Sequence, residues 1–68
     1  MSETQELEIA KKTAGDLENC PWWRSRMPYL TTVGYSYVKG EARRYYKDRH
    51  GSYYYRRVTE SEMHRRAL

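Results

Sequence analysis

The sequence predicts a small α+β domain: an N-terminal helix, a three-stranded antiparallel β-meander and a short C-terminal helix. Three observations predict it. Apolar residues in the first 20 positions recur at helical spacing. Thr, Val and Tyr gather in three short runs between residues 31 and 58, separated by turn residues. A helix-capping signature then opens the last ten positions. Sixty-eight residues allow one domain, spanning 1–68. A chain of this size buries only about 60% of the surface its unfolded form exposes, so its margin of stability is thin. Hydrophobic residues make up 38% of the chain, charged residues 32%, and the mean hydropathy is -1.14. Those values alone would fit a disordered chain. Eight Tyr and two Trp argue for folding, with the apolar material held in large flat side chains.

Residues 1–20 form the acidic helical segment. Leu7, Ala10, Ala14 and Leu17 stand at i, i+3, i+7 and i+10, one stripe of a 3.6-residue period. Ser2 and Gln5 have capping-box spacing, and Glu3 and Glu6 suit the positive end of the helix dipole. Gly15 either caps this helix or weakens it. Cys20-Pro21 is the firmer stop, because proline disfavours helical geometry at the residue before it. A helix so short and polar is marginal alone and needs a surface to lie on.

Residues 21–28, PWWRSRMP, are a connector bracketed by two prolines. Residues 29–58 are the basic, Tyr-rich sheet, with strands over 31–38, 42–47 and 52–58. Lys39-Gly40 and Asp48-Arg49-His50-Gly51 supply the turns. Residues 59–68 hold the final helix, over 60–67, with Thr59 and Glu62 at capping-box spacing.

Register then sorts the sheet into two faces. A two-residue turn at Lys39-Gly40 pairs Tyr37 with Ala42, Tyr35 with Arg44 and Val33 with Tyr46. A four-residue loop over 48–51 pairs Tyr46 with Tyr53, Tyr45 with Tyr54 and Arg44 with Tyr55. One face then carries Val33, Tyr35, Tyr37, Ala42, Tyr46, Tyr53 and Tyr55, with Arg44 and Arg57 among them. It is the expected core side, roofed by both helices, with Tyr46, Tyr53 and Tyr55 largely buried. The other carries Gly34, Ser36, Arg43, Tyr45, Lys47, Ser52, Tyr54 and Arg56. It is the expected open face, basic, with Tyr45 and Tyr54 accessible at its middle.

From Val33 onward the pattern resembles the KTSC domain. Gly34-Tyr35 stands in the first strand, Ala42, Arg44 and Tyr46 alternate in the second, and Gly51, Tyr53, Tyr55, Val58 and a helix over 60–67 follow. The resemblance covers about residues 30–67. It implies a small module of the kind found alone or at the C-terminus of some bacterial lysyl-tRNA synthetases, an association that points toward RNA.

Charge is divided along the chain. Residues 1–20 carry five acidic against two basic side chains, net -3, and residues 21–68 eleven basic against four acidic, net +7. Clustered Arg and Lys bind phosphate backbones through counterion release, and exposed aromatics offer stacking platforms to bases. Arg43, Tyr45, Lys47, Arg49, Tyr54 and Arg56 therefore form the expected nucleic-acid site, DNA or RNA alike, with His50, Arg65 and Arg66 extending the positive field. The alternative ligand is a larger protein. Trp22, Trp23, Arg24 and Arg26 are residue types that dominate interface hot spots, as in a small phage-type regulator or inhibitor that plugs a partner's site. At least one tryptophan is expected to complete the core instead.

Other function classes fare worse. Two His and one Cys show no zinc spacing, so no metal and no cofactor is expected. Glycine-rich phosphate loops and paired carboxylates placed for acid–base work are absent from the sequence, and the expectation is a non-enzyme. A lone cysteine fits a reducing, cytoplasmic setting. The opening MSETQELEIAKK lacks the apolar core of a signal peptide, and no run approaches the roughly 20 apolar residues that span a membrane. Membrane-surface binding is not expected either, because no helix sets Lys and Arg opposite Trp and Leu.

Overall fold

Helix α1 (Glu3–Thr13) takes up the first part of the acidic segment, and the computed structural model describes residues 3–67, with side chains from 5 to 64. The expected helix over 1–20 stops early. Ala14 closes the last turn by donating to Ala10 O at 2.8 Å, and Gly15 then leaves the helix. Gly15–Asp16 becomes a two-residue strand, β1, and Leu17–Asn19 a single 3₁₀ turn. Asp16 starts that turn by accepting from Glu18 N at 3.1 Å. The predicted apolar stripe still faces inward: Ala10 and Leu17 are fully buried, Leu7 and Ala14 partly so. Leu17 arrives by a break in the helix rather than by its continuation.

The connector forms a short helix, α2 (Trp23–Arg26), and a 3₁₀ turn, Met27–Tyr29. Strands β2 (Thr31–Val38), β3 (Glu41–Lys47) and β4 (Tyr53–Arg57) follow, then α3 (Glu60–Ala67). Thr59 Oγ1 accepts from Glu62 N at 3.1 Å and caps α3 as its spacing predicts. The expected Ser2 cap and the side chains of Arg65 and Arg66 lie outside the described residues. None of the described helices is long and apolar enough to cross a membrane.

The class is α+β, but the sheet has four strands and is mixed, in the order β1-β4-β3-β2. The fourth strand is β1, which runs parallel to β4 with Gly15 opposite Tyr54 and Asp16 opposite Tyr55. In the first hairpin Lys39 and Gly40 both have positive φ, 55° and 75°, the signature of a type I′ turn. Tyr37 faces Ala42 and Tyr35 faces Arg44, as predicted. The register then slips by one at Val33, so Thr32 rather than Val33 faces Tyr46.

The second hairpin corrects the expected register. Asp48 N donates to Ser52 O at 3.0 Å and Gly51 N to Asp48 O at 3.1 Å, closing the turn over three residues, not four. Gly51, at φ 87°, occupies the left-handed position of a turn with a bulge. Tyr46 therefore pairs with Tyr54, Tyr45 with Tyr55 and Arg44 with Arg56. A shift of one residue moves every β4 side chain to the other face. Tyr54 and Arg56 join Tyr46 and Arg44; Tyr53 and Tyr55 join Tyr45.

Both faces are covered. Helix α1 lies over Gly34, Tyr45, Lys47 and Tyr53, the face expected to be open. A Cβ at Gly34 would come within 3.3 Å of Leu7 Cδ1, so the glycine lets the helix approach. On the opposite face Glu62 of α3 stands 3.8 Å from both Arg44 and Arg56, and Trp22 meets Tyr54. The core is small and tyrosine-rich: Ala10, Leu17, Ala42, Tyr45 and Tyr46. Tyr45, expected to be accessible, is 0% exposed, and Tyr53, Tyr54 and Tyr55 are all half-buried.

Candidate nucleic-acid interface

The sheet cations are matched to carboxylates. Arg43 Nε donates to Glu41 Oε1 at 2.8 Å, and its guanidinium lies 4.2 Å from the Tyr55 ring centre. Lys47 Nζ donates to Glu6 Oε2 at 2.7 Å across the α1 contact. Arg56 donates to Tyr46 Oη at 3.3 Å and shares Glu62 with Arg44. Arg57 bridges Glu41 at 2.8 Å and Asp16 at 3.1 Å. Titration shifts follow these contacts. The hydrogen bond from Lys47 holds the Glu6 carboxyl below the ordinary range, and that from Arg43, with Arg57, does the same to Glu41. The Lys47 ammonium is pushed up by its bond to Glu6.

Four of the six residues of the expected nucleic-acid site, Arg43, Tyr45, Lys47 and Arg56, have their contacts within the fold. With Tyr45 sealed in the core, the face has no stacking platform at its centre. Helix α1 covers it through Leu7 on Gly34 and the ion pair of Glu6 with Lys47.

The other two, Arg49 and Tyr54, come together with the tryptophan connector. A cleft of about 660 Å³ opens between residues 22–30 and the β3–β4 turn, lined by Trp22, Arg26, Tyr29, Leu30, Asp48, Arg49, His50, Ser52 and Tyr54. The short α2 builds one wall. Trp22 O accepts from Arg26 N at 3.2 Å and from Ser25 Oγ at 2.9 Å, which fixes the turn, and Leu30 N donates to Met27 O at 3.1 Å where the chain enters β2. Trp22 stands edge-on to Tyr54, with ring centres 5.3 Å apart and planes at 87°. Arg26 lies 5.7 Å from the Trp22 ring centre, and Tyr29 is 72% exposed. The opposite wall is the turn, held by Asp48 Oδ1 accepting from His50 N and Ser52 N, both at 2.9 Å.

The cleft lining sets two arginines, Arg26 and Arg49, against a single carboxylate, Asp48, which accepts from the backbone amides of its own turn. Among the described residues no carboxylate forms an ion pair with Arg24, Arg26 or Arg49. Trp23 and Arg24 form a separate aromatic–cation pair, 5.3 Å from guanidinium carbon to ring centre, and are not in the cleft lining. A second, flatter hollow beside Ile9, Thr13 and Tyr53 has no charged side chain in its lining. The described residues hold no group of three or more His, Cys, Asp or Glu side chains that could hold a metal ion.

Sequence reasoning missed Tyr29 and Leu30 and assigned the two cleft walls to different ligands. The connector was assigned to a protein partner and the turn to nucleic acid. Nothing in the local spacing brings positions 22–29 against 48–54; the mixed sheet and the Tyr54 register do so. No family model, curated protein or solved structure matches the chain.

Proposed function

We propose that this chain is a non-catalytic binding module that takes a single-stranded segment of nucleic acid into the cleft between α2 and the β3–β4 turn. One observation carries the reading: Arg26 and Arg49, free of carboxylate ion pairs among the described residues, flank aromatic surfaces of Trp22, Tyr29 and Tyr54, while Arg43, Arg44, Lys47, Arg56 and Arg57 of the sheet each sit in an ion pair. Arginine supplies phosphate contacts and the rings supply stacking surfaces, the combination that single-strand binding uses. Stacking needs unpaired base faces, and Tyr29 is the ring with the most free surface.

The test is a fluorescence-anisotropy titration of a labelled single-stranded oligonucleotide, and its duplex, over a range of salt. Single strands are expected to bind more tightly than duplex. Arg26→Glu/Arg49→Glu is expected to weaken binding of every sequence and flatten the salt slope by about one unit per lost phosphate contact. Tyr29→Ala should cost roughly 1–3 kcal/mol with single strands and little with duplex. Wild-type protein that binds neither form at low salt would sink the reading. A stoichiometric protein retained from nuclease-treated lysate, and lost with Trp22→Ala or Trp23→Ala, would replace it with the protein-partner reading.

A further inference from the structure

The sheet ends on β2, and that edge lacks most of the devices that keep sheet edges from pairing. Strand β2 has eight residues, TTVGYSYV, with no charged residue and no proline. Natural edges are usually short, charged, bulged or covered. The opposite edge, β1, is two residues long. On β2 the only such device is the register slip at Val33, which leaves Gly34–Val38 in unbroken register with β3.

The direction of the backbone groups along this segment follows from its neighbours. Ala42 O accepts from Val58 N at 3.0 Å, on the β4 side of β3, so the Ala42 backbone points away from β2. Tyr37 faces Ala42 and must therefore point its own N–H and C=O outward. Tyr35, two residues back, does the same by alternation. Among the described residues no backbone or side-chain group outside the sheet bonds to either.

We propose that this edge pairs with the same edge of a second copy of the chain, antiparallel about a two-fold axis at Ser36. That register sets Tyr35 opposite Tyr37 of the second copy, and Tyr37 opposite its Tyr35. Both outward-facing residues then fall in hydrogen-bonded pairs, giving four N–H···O bonds at the junction. The strand is complementary to itself, as a two-fold interface requires. Tyr35 and Tyr37 share one face, so each pair also sets ring beside ring, a favourable cross-strand combination. Tyr37, 46% exposed in the single chain, is covered by the pairing. No like charges meet along the five paired residues. The net charge of +4 on each copy opposes association at long range, so added salt strengthens the dimer while it weakens any phosphate contact.

The register makes a sharp test. Residues on the axis form a non-hydrogen-bonded pair with Cα atoms about 4.5 Å apart, within disulfide range. Ser36→Cys, made with Cys20→Ser, is expected to give a disulfide-linked dimer under mild oxidation, whereas Thr31→Cys in the same background is not. With the unmodified chain, sedimentation at rising concentration should show the mass move from 8.3 kDa toward twice that value. The amides of Tyr35 and Tyr37 should slow in hydrogen exchange over the same range. Tyr37→Lys, at an exposed edge position, should abolish the mass shift and keep the wild-type circular dichroism. Three results would each overturn the proposal: a monomer at every concentration up to millimolar, cross-linking at Thr31→Cys as fast as at Ser36→Cys, or a dimer whose Tyr35 and Tyr37 amides exchange as in the monomer.

Discussion

Lys47 on β3 donates a hydrogen bond of 2.7 Å to Glu6 on α1, joining the basic sheet to the acidic helix across 41 residues of sequence. Tyr53 from β4 donates to the same carboxylate oxygen at 3.3 Å. The contact ties α1 to the sheet face beside the packing of Leu7 on Gly34.

Acid should loosen that fastening. Glu6 and Glu41 both titrate below their ordinary value near 4.5, through hydrogen bonds from Lys47 and from Arg43 with Arg57. A carboxyl whose folded pKa is depressed stabilises the fold fully above its unfolded value, and that contribution fades as pH falls through the folded value. At constant ionic strength the melting temperature is expected to hold steady from pH 7 to about 5 and to drop below about 4.5. Glu6→Gln should lower the plateau and make the acid drop shallower. A Glu6→Gln curve parallel to wild type would show that the Glu6–Lys47 contact carries no stability.

Gly34 and Leu7 should be coupled. The glycine leaves room for the leucine, and a Cβ there would sit 3.3 Å from Leu7 Cδ1. Alanine asks the leucine to move by a few tenths of an ångström, but valine brings branched methyls into the same space. Gly34→Val is expected to destabilise by roughly 1–3 kcal/mol in urea unfolding, the usual cost of overpacking. Leu7→Ala in the same chain should recover part of that loss. Strict additivity of the two would place the leucine elsewhere.

Leu17 is the deepest aliphatic anchor of the N-terminal segment, with 0% exposure. Leu17→Ala is expected to cost about 2–5 kcal/mol, a large share of the stability available to so small a domain. Urea unfolding followed by circular dichroism measures it. A loss under 0.5 kcal/mol would mean that residues 14–20 pack only loosely on the sheet.

Much of the fold was legible in the sequence because local chemistry determined it. Lys39-Gly40 specified a two-residue turn, Thr59 a helix start, and the Leu7-Ala10-Ala14-Leu17 stripe a buried side. The second hairpin went wrong by one residue, and its signal was present. Aspartate followed three positions later by glycine fits a type I turn with a left-handed bulge glycine, which closes over three residues. That single step reversed β4, carried Tyr54 to the connector and brought Tyr55 beside Tyr45. The strand at Gly15–Asp16 was beyond local reasoning, since two residues of glycine and aspartate have no strand propensity of their own. It exists because the edge of β4 lies where α1 ends. Beside the slip at Val33, Arg44 Nε donates to the Thr32 hydroxyl at 3.0 Å. The candidate cleft was half legible: both walls are rich in Trp, Arg and Tyr in the sequence, but only the tertiary fold sets them face to face.

The two sets of arginines give the last prediction, because they predict opposite behaviour for stability and for binding. Arg43 and Arg56 sit among Glu41, Tyr55, Tyr46 and Glu62, and their side chains are 16% and 27% exposed. Arg26 is exposed at the cleft, Arg49 is exposed on its turn, and neither forms an ion pair with a described carboxylate. Arg43→Gln/Arg56→Gln should therefore lower the melting temperature, since it strips partners from two carboxylates and a ring stack. Its effect on the salt slope of single-strand binding should be negligible where the protein remains folded. Arg26→Gln/Arg49→Gln should change stability by no more than about 0.5–1 kcal/mol, because the one contact given for either charge is the exposed cation–π approach of Arg26 to Trp22. The same pair should flatten the salt slope by about two units, one for each phosphate contact removed. Thermal melts and binding isotherms on the same preparations separate the two effects. The crossed result, a stable Arg43→Gln/Arg56→Gln protein with a flattened slope beside an unchanged cleft variant, would return the ligand to the sheet and require α1 to swing away from it.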